Sequence, residues 1–191
     1  MGIFSELPLN RIICLWGGPG CGKSTTCSSL FSSLKKLGYD CEINREYVKD
    51  WIWEGRKIKH GDQSYIFAKQ ARKERQYIEN NLDFIITDSP MALCIMYGRM
   101  YDKYEQLFGA CEILLKQHHQ FCIDKGYKID HIYLNRKCEY NPNGRYQSEQ
   151  EAKEIDSTCL SFLHEMKFRF KEIDCCGDVE NKIIEYLKGL N

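Results

Sequence analysis

Eight residues near the amino terminus have the pattern of a phosphate-binding loop. Residues 17–24 read GGPGCGKS, which fits the motif G-x-x-x-x-G-K-[ST]. Glycines allow backbone conformations that a Cβ would resist, so the amides of such a loop turn inward around phosphate oxygens. The residues predicted to bind the nucleotide are Gly18, Gly20, Cys21, Gly22, Lys23, Ser24 and Thr25.

Two side chains of this loop have separate predicted roles. Lys23 places a positive charge near the β- and γ-phosphates, and the Ser24 hydroxyl is a ligand for Mg²⁺. The helix that starts at this point adds the positive end of its dipole. ATP and Mg²⁺ are therefore the predicted cofactors.

The segments on either side of the loop are those that nucleotide binding requires. An apolar run over residues 12–16 predicts a buried strand, and leucines at helical spacing predict a helix over residues 23–37. Gly38 is well placed to end that helix. A glycine-rich turn that binds nothing is the alternative, and both flanks argue against it.

Polar residues lie at the carboxyl ends of two further predicted strands, over residues 40–43 and 84–88. The carboxyl ends of strands face the crevice where open α/β sheets bind ligands. The residues predicted to act there are Glu42, Arg45, Glu46 and Asp88. We expect Asp88 to position Mg²⁺ or the acceptor hydroxyl, and Glu42 or Glu46 to accept the hydroxyl proton. Capping of its own loop is the alternative role for Asp88.

Periodicity and turn residues predict the remaining elements. These are helices over residues 47–58, 63–80, 105–125 and 178–190, and strands over residues 129–134 and 167–173. The helix over residues 63–80 carries a basic group formed by Lys69, Arg72, Lys73 and Arg75. A solvated face explains such a group more often than a binding patch does.

A polar segment, residues 136–150, is predicted to form a lid. It combines turn residues with the capping box Ser148-x-x-Glu151, which starts another helix. Arg136 and Arg145 are expected to reach over bound phosphates and to neutralise charge during transfer. A surface ion pair of little energetic value is the alternative for either arginine.

Cys111, His118 and Cys122 fall on one face of the helix predicted over residues 105–125. The first two are separated by about 10 Å along the helix axis, so a single zinc ion cannot bridge them. Ordinary packing is the prediction for this face. The 11 cysteines include no C-x-x-C pair, which favours buried free thiols in a reducing compartment over a disulfide framework.

The composition of the chain limits the kinds of partner that the protein is expected to bind. The chain has 27 basic and 27 acidic residues, so no overall charge attracts it to nucleic acid. No apolar run approaches the length of a membrane span, and residues 1–10 lack the pattern of a signal peptide. We expect one α/β domain over residues 1–191, located in the cytoplasm and without a membrane partner.

The chain resembles the small P-loop kinases typified by the ribosylnicotinamide kinase domain of the NadR type, which occur in bacteria and phages. The matching features are Glu42-x-x-Arg45 after the second strand, a glutamine and basic residues within 63–75, and Thr87-Asp88 at the end of the third strand. The family's lid motif, Asp-Gly-x-Arg, is replaced by Asn-Gly-Arg at residues 143–145.

The resemblance implies a P-loop NTPase fold, a three-layer α/β sandwich with a five-stranded parallel sheet of order 2-3-1-4-5 and a helical lid. It also implies transfer of the γ-phosphate of ATP to a hydroxyl of a nucleoside or nucleotide-like acceptor, such as a nicotinamide riboside-like compound or a deoxynucleoside. A phage-encoded member would work in the host cytoplasm.

Two other functions also fit the residues. The basic group would suit a kinase that acts on a hydroxymethylated base in DNA, and the loop alone would suit an ATPase or nucleotide switch without an acceptor. The aromatic candidates for stacking on an acceptor ring are Trp51, Trp53, Tyr65 and Tyr97, and core packing explains each equally well. The sequence leaves the acceptor and the oligomeric state open.

Overall fold

Helices and strands alternate along the chain in the computed structural model, which describes residues 7–59, 61–101, 105–143, 145 and 147–190. The elements are β1 (Arg11–Trp16), α1 (Lys23–Lys36), β2 (Cys41–Asn44), α2 (Val48–Trp53), α3 (Asp62–Glu79), β3 (Phe84–Thr87), α4 (Met91–Tyr101), α5 (Glu105–Asp124), β4 (Lys128–Arg136), α6 (Glu149–Glu165), β5 (Phe170–Cys175) and α7 (Val179–Lys188). The described residues do not include 1–6, on which the signal-peptide prediction partly depends. They also do not include Gly144, which is part of the predicted lid motif.

The strands form one parallel sheet of order β2-β3-β1-β4-β5, which confirms the predicted fold and strand order. The first strand, β1, lies in the centre, and its Cys14 pairs with Thr87 of β3 and with His131 of β4. The carboxyl ends of these three strands therefore lie side by side. This arrangement brings the glycine-rich loop close to the residues that follow β3 and β4.

Both faces of β1 are covered, which explains why all six of its residues are buried. Ile13 and Leu15 face a core that α1 and α7 complete. Ile12 and Trp16 face a second core, to which the helices α3 to α6 contribute. The helices thus form a layer on each side of the sheet.

Local signals at two helix ends are confirmed. Gly38 follows α1 with φ of 91°, and its amide donates to the Lys35 carbonyl in a left-handed helix end. At the start of α6, the Ser148 side chain accepts a hydrogen bond from the Glu151 amide. The Glu151 carboxylate accepts one from the Ser148 amide, which completes the capping box.

Two predicted boundaries are wrong. The helix expected over residues 47–58 ends at Trp53, because Gly55 adopts a left-handed conformation with φ of 68°. The strand expected over residues 167–173 starts at Phe170. Lys167 has φ of 55° and forms the turn that closes α6, so it does not belong to the strand.

The cysteines match the prediction of buried free thiols. All of them are free, and Cys138 and Cys176 are the exposed ones. In the part of the chain that the structure describes, no helix combines the length and apolar character needed to cross a membrane.

Candidate nucleotide and acceptor site

The loop between β1 and α1 has the backbone of a phosphate cradle. Gly20 and Gly22 have φ of 77° and 95°, in the region that side chains rarely adopt. A Cβ on Gly22 would also lie 2.3 Å from the Cys175 Sγ atom. Both the conformation and the close packing against β5 therefore require glycine at this position.

The Lys23 side chain contacts the backbone of the phosphate-binding loop. Its Nζ atom donates hydrogen bonds to the carbonyls of Gly17, at 2.6 Å, and Gly18, at 2.9 Å. Burial acts to lower the pKa of Lys23, but nearby acidic groups, Cys21 first and then Glu46, Cys159 and Asp88, give a net upward shift. The ammonium group is therefore a permanent positive charge at this point.

Asp156 of α6 supports the loop, and sequence analysis missed it. Its Oδ1 atom accepts a hydrogen bond of 2.6 Å from the Gly18 amide. The same carboxylate accepts hydrogen bonds of 2.6 and 3.1 Å from Nε and Nη2 of Arg136. Although burial opposes it, this pairing raises the pKa of Arg136, so the guanidinium stays charged.

Arg136 also faces the loop directly. Its Nη2 atom donates to the Pro19 carbonyl at 2.8 Å. Its Nη1 atom is buried, has no hydrogen-bond partner among the described residues, and lies 3.3 Å from the place where a Cβ on Gly20 would be. A buried donor without a hydrogen bond costs free energy. A phosphate oxygen of a bound nucleotide is a suitable acceptor for it.

The segment predicted to form a lid lies against the loop through Tyr140. A Cβ on Gly20 would approach the Tyr140 Cδ2 atom to 2.9 Å. The guanidinium groups of Arg136 and Arg145 lie 5.9 and 5.8 Å from the centre of the Tyr140 ring. The Tyr140 hydroxyl donates to the Gln147 carbonyl, which ties the aromatic ring to the segment before α6.

A cavity of 580 Å³ opens beside the loop. The predicted site residues in its wall are Gly20, Gly22, Lys23, Ser24, Thr25, Glu46, Asp88 and Arg145. Asp88 is buried at the end of β3, and its Oδ1 atom accepts a hydrogen bond of 2.9 Å from the Glu46 amide. The structure thus brings the loop, two carboxylates and one lid arginine to the same space.

Other predicted residues lie outside the described wall of this cavity. Gly18 and Cys21 belong to the loop, and Arg136 contacts the loop through the Pro19 carbonyl. Glu42 lies within β2 and Arg45 is exposed, and neither contributes to the wall.

Aromatic side chains form another part of the cavity wall. Trp53, Tyr97 and Tyr101 line the cavity, and the rings of the two tyrosines stack with an interplanar angle of 11°. Burial raises the pKa of Tyr97, which keeps its hydroxyl neutral. Trp51 is buried in the core and stacks on Tyr65, and neither of these two candidates is among the residues that line the cavity.

The basic group of α3 is engaged with aromatic rings and acidic residues of the same chain. The Lys69 ammonium lies 5.3 Å from the ring centre of Tyr65, and Arg75 forms an ion pair with Glu79. These contacts fit the predicted solvated face.

Fold and loop together define a P-loop nucleotide-binding protein of the kinase and ATPase type, which confirms the expected resemblance to P-loop kinases. The chain belongs to the AAA domain family, whose model matches residues 12–182. None of the curated proteins matches the sequence.

Two solved structures are similar to this chain. The structure of NadR protein in complex with NR has 14% identity and a TM-score of 0.66, over 95% of this chain and 51% of that chain. The structure of APE1195 has 17% identity and a TM-score of 0.49, over 97% of this chain and 96% of that chain. This chain thus spans about half of the NadR chain, and identity at this level shows a shared fold alone.

Proposed function

We propose that this protein is an ATP- and Mg²⁺-dependent phosphotransferase that acts on a hydroxyl of a nucleoside or nucleotide-like small molecule. One observation carries the proposal. The wall of a single cavity contains Lys23 and Ser24 of the loop, the carboxylates of Glu46 and Asp88, and an aromatic surface that includes Tyr97. A site for ATP and Mg²⁺ alone needs the loop and one carboxylate, whereas a second carboxylate and aromatic rings suit a second substrate.

The donor side of the cavity suits ATP bound with Mg²⁺. The Ser24 hydroxyl and the Asp88 carboxylate supply the oxygen ligands that Mg²⁺ prefers, and both line the cavity. When bound, the ion neutralises charge on the phosphates. Lys23 adds a fixed positive charge at the loop, and the unpartnered Arg136 Nη1 atom beside Gly20 offers a further hydrogen bond to phosphate.

Phosphoryl transfer depends mainly on alignment and charge neutralisation. Glu46 is held near Asp88 through its own backbone amide, and its carboxylate would accept the proton of the attacking hydroxyl. Arg145 lines the cavity from the lid segment and would balance the negative charge that spreads over the transferred group.

The acceptor side suits a planar ring. Tyr97 and Tyr101 present stacked aromatic faces, and Trp53 is 69% exposed at the rim of the same cavity. Aromatic faces bind planar rings through offset or edge contacts. The similar NadR structure was solved in complex with NR, which makes NR the first compound to test, followed by deoxynucleosides.

The test is to incubate the protein with Mg²⁺ and ATP labelled in its γ-phosphate, together with a panel of nucleosides and nucleotides. We expect label in one class of phosphorylated acceptor, and Lys23→Ala should abolish this transfer while leaving the circular dichroism spectrum unchanged. Free phosphate as the sole product with every compound would support an ATPase or switch instead. Label in hydroxymethylated DNA, with binding that weakens steeply as salt rises, would support the DNA kinase.

A further inference from the structure

Three side chains with metal-binding donor atoms meet between α3 and α5, away from the nucleotide site. His118 and Cys122 are one helical turn apart on α5, and Glu74 reaches them from α3. The His118 Nε2 atom lies 2.8 Å from the Glu74 Oε1 atom. The donor atoms of all three residues lie within 4.8 Å of one another.

This cluster lies towards the end of the sheet opposite to the phosphate-binding loop. Cys122 is close to the carboxyl end of α5, where the Tyr127 amide donates to its carbonyl in the turn before β4. That turn leads into the amino end of β4, whereas the loop follows the carboxyl end of β1. The cluster is therefore separate from the cavity described above.

The cluster is largely buried but not sealed. Glu74 and Cys122 are 4% and 0% exposed, whereas the His118 side chain is 10% exposed. A metal ion arriving from solvent would therefore meet the imidazole first. Cys111 occupies the same face of α5 but does not belong to the cluster, in agreement with the axial distance that separates it from His118.

Charge explains why a cation suits this position. A buried carboxylate is costly unless a positive group or hydrogen bonds compensate it, and Glu74 is buried. A divalent cation would balance one carboxylate and one thiolate, with the imidazole neutral and no net charge left over.

We infer that Glu74, His118 and Cys122 form a three-ligand Zn²⁺ site whose fourth position is taken by water. Thiolate and imidazole together select zinc over Mg²⁺ or Ca²⁺, which prefer oxygen ligands. Ligand atoms around tetrahedral zinc lie about 3.3–3.6 Å apart, a spacing that small side-chain rotations reach from the observed one. Binding forms a Zn–S bond at Cys122 and releases the thiol proton to solvent.

The site would join two helices that are distant in sequence. Because α3 and α5 both contribute ligands, the ion would stabilise the folded chain through its binding free energy. Sequence analysis missed the site since Glu74 lies on a different helix from His118 and Cys122, and no local spacing indicates their contact.

The probe is Co²⁺, which reports thiolate ligation through a near-ultraviolet charge-transfer band and tetrahedral geometry through its visible bands. The two exposed thiols are first removed in a Cys138→Ala/Cys176→Ala background. We expect one equivalent of Co²⁺ to give both bands, Zn²⁺ to displace it, and Zn²⁺ alone to raise the melting temperature.

Two alanine variants separate the site from the other thiols. Cys122→Ala should remove the charge-transfer band and weaken Zn²⁺ binding by more than about 100-fold, because loss of a direct ligand exceeds the effect of an outer hydrogen bond. Cys111→Ala, at another buried cysteine of the same helix face, should leave the band unchanged. A band that survives Cys122→Ala, or no band at all in the unaltered background, would overturn the inference.

His118→Gln provides a test that does not depend on a core cysteine. Glutamine can keep a hydrogen bond to Glu74, so the variant should fold, but it should lose the tetrahedral visible bands and bind Zn²⁺ more than about 100-fold more weakly. Unchanged Zn²⁺ affinity in this variant would show that His118 contacts Glu74 without binding Zn²⁺ and would overturn the inference.

Discussion

Asp156 connects the phosphate-binding loop to Arg136, and removal of its carboxylate gives a quantitative test of the site. The carboxylate accepts one hydrogen bond from the Gly18 amide and two from Arg136. The Arg136 and Asp156 side chains are 10% and 13% exposed, so water replaces these bonds poorly. Breaking a buried ion pair costs about 3–5 kcal/mol, and partial access to water favours the lower end of that range.

We therefore expect Asp156→Ala to lower the free energy of unfolding by about 3 kcal/mol. For a chain of this length, that loss corresponds to a melting temperature about 6–12 °C lower. Asp156→Asn should lose about half as much, because its amide oxygen can still accept from Gly18 while the charge on the pair is lost. Urea unfolding, followed by circular dichroism, measures all three proteins.

Asp174→Ala is the matched control. It removes the same group from an ion pair with Lys137 that spans 3.8 Å, with both side chains about half exposed. Such a pair contributes little, so we expect a change within about 0.5 kcal/mol. If Asp156→Ala unfolds at the same urea concentration as Asp174→Ala, the carboxylate does not hold the loop and the reasoning fails.

Three further predictions concern helix packing, acid stability and proton transfer. Gly98→Ala should lower the melting temperature, because the added Cβ would lie 1.9 Å from a ring carbon of Phe108. At Gly109 an added Cβ meets no atom, so Gly109→Ala should stabilise the protein by about 0.5–1 kcal/mol. Melting temperatures that change in the same direction in both variants would contradict this prediction. Burial lowers the pKa of His131 from 6.5 to about 3, so the unfolded chain binds the extra proton in that range. The free energy of unfolding should fall by up to about 1.4 kcal/mol per pH unit as the pH drops through this range. The fall should be smaller in His131→Gln, whose side-chain amide can still accept the hydrogen bond from Trp16. Urea unfolding at several pH values measures both proteins, and an equal dependence on pH in the two would refute the assignment to His131. Glu46→Gln should reduce kcat by about 100-fold or more, and by a larger factor than Glu42→Gln, because Glu46 lines the cavity and Glu42 does not. Steady-state kinetics with the accepted substrate would show which variant loses more activity.

Short-range signals made much of the fold predictable. The glycine-rich loop, the left-handed end at Gly38 and the Ser148 capping box each depend on residues within a few positions of one another. The strand order came from the resemblance to P-loop kinases, whose motifs these signals place at the ends of strands. Helices and strands with such signals were predicted correctly from the sequence, with small errors at their boundaries.

The helix predicted over residues 47–58 shows where composition misleads. Its aromatic residues suggested one helix as far as residue 58, but Trp53 is 69% exposed and the chain turns at Gly55. An aromatic side chain that lines a cavity has the same sequence signature as one that packs in a core. The sequence alone could not separate Trp53 from the buried Trp51.

Long-range contacts account for the parts of the site that sequence analysis missed. Asp156 meets Gly18, and Tyr140 meets Gly20, only because α6 and the lid segment fold back over the start of the chain. Neither residue has a motif around it. Their roles depend on the packing of α6 and the lid segment against the loop, which no spacing along the chain specifies.

The position of β1 in the middle of the sheet has a consequence for synthesis. This strand leaves the ribosome before both of its neighbours, because Arg11 pairs with Phe84 of β3 and with Lys128 of β4. At about 5–20 residues per second, the second partner follows after about 6–23 s. During that delay an apolar strand has no neighbours, so we expect the nascent chain to depend on a holding chaperone and to fold only after most of it has emerged.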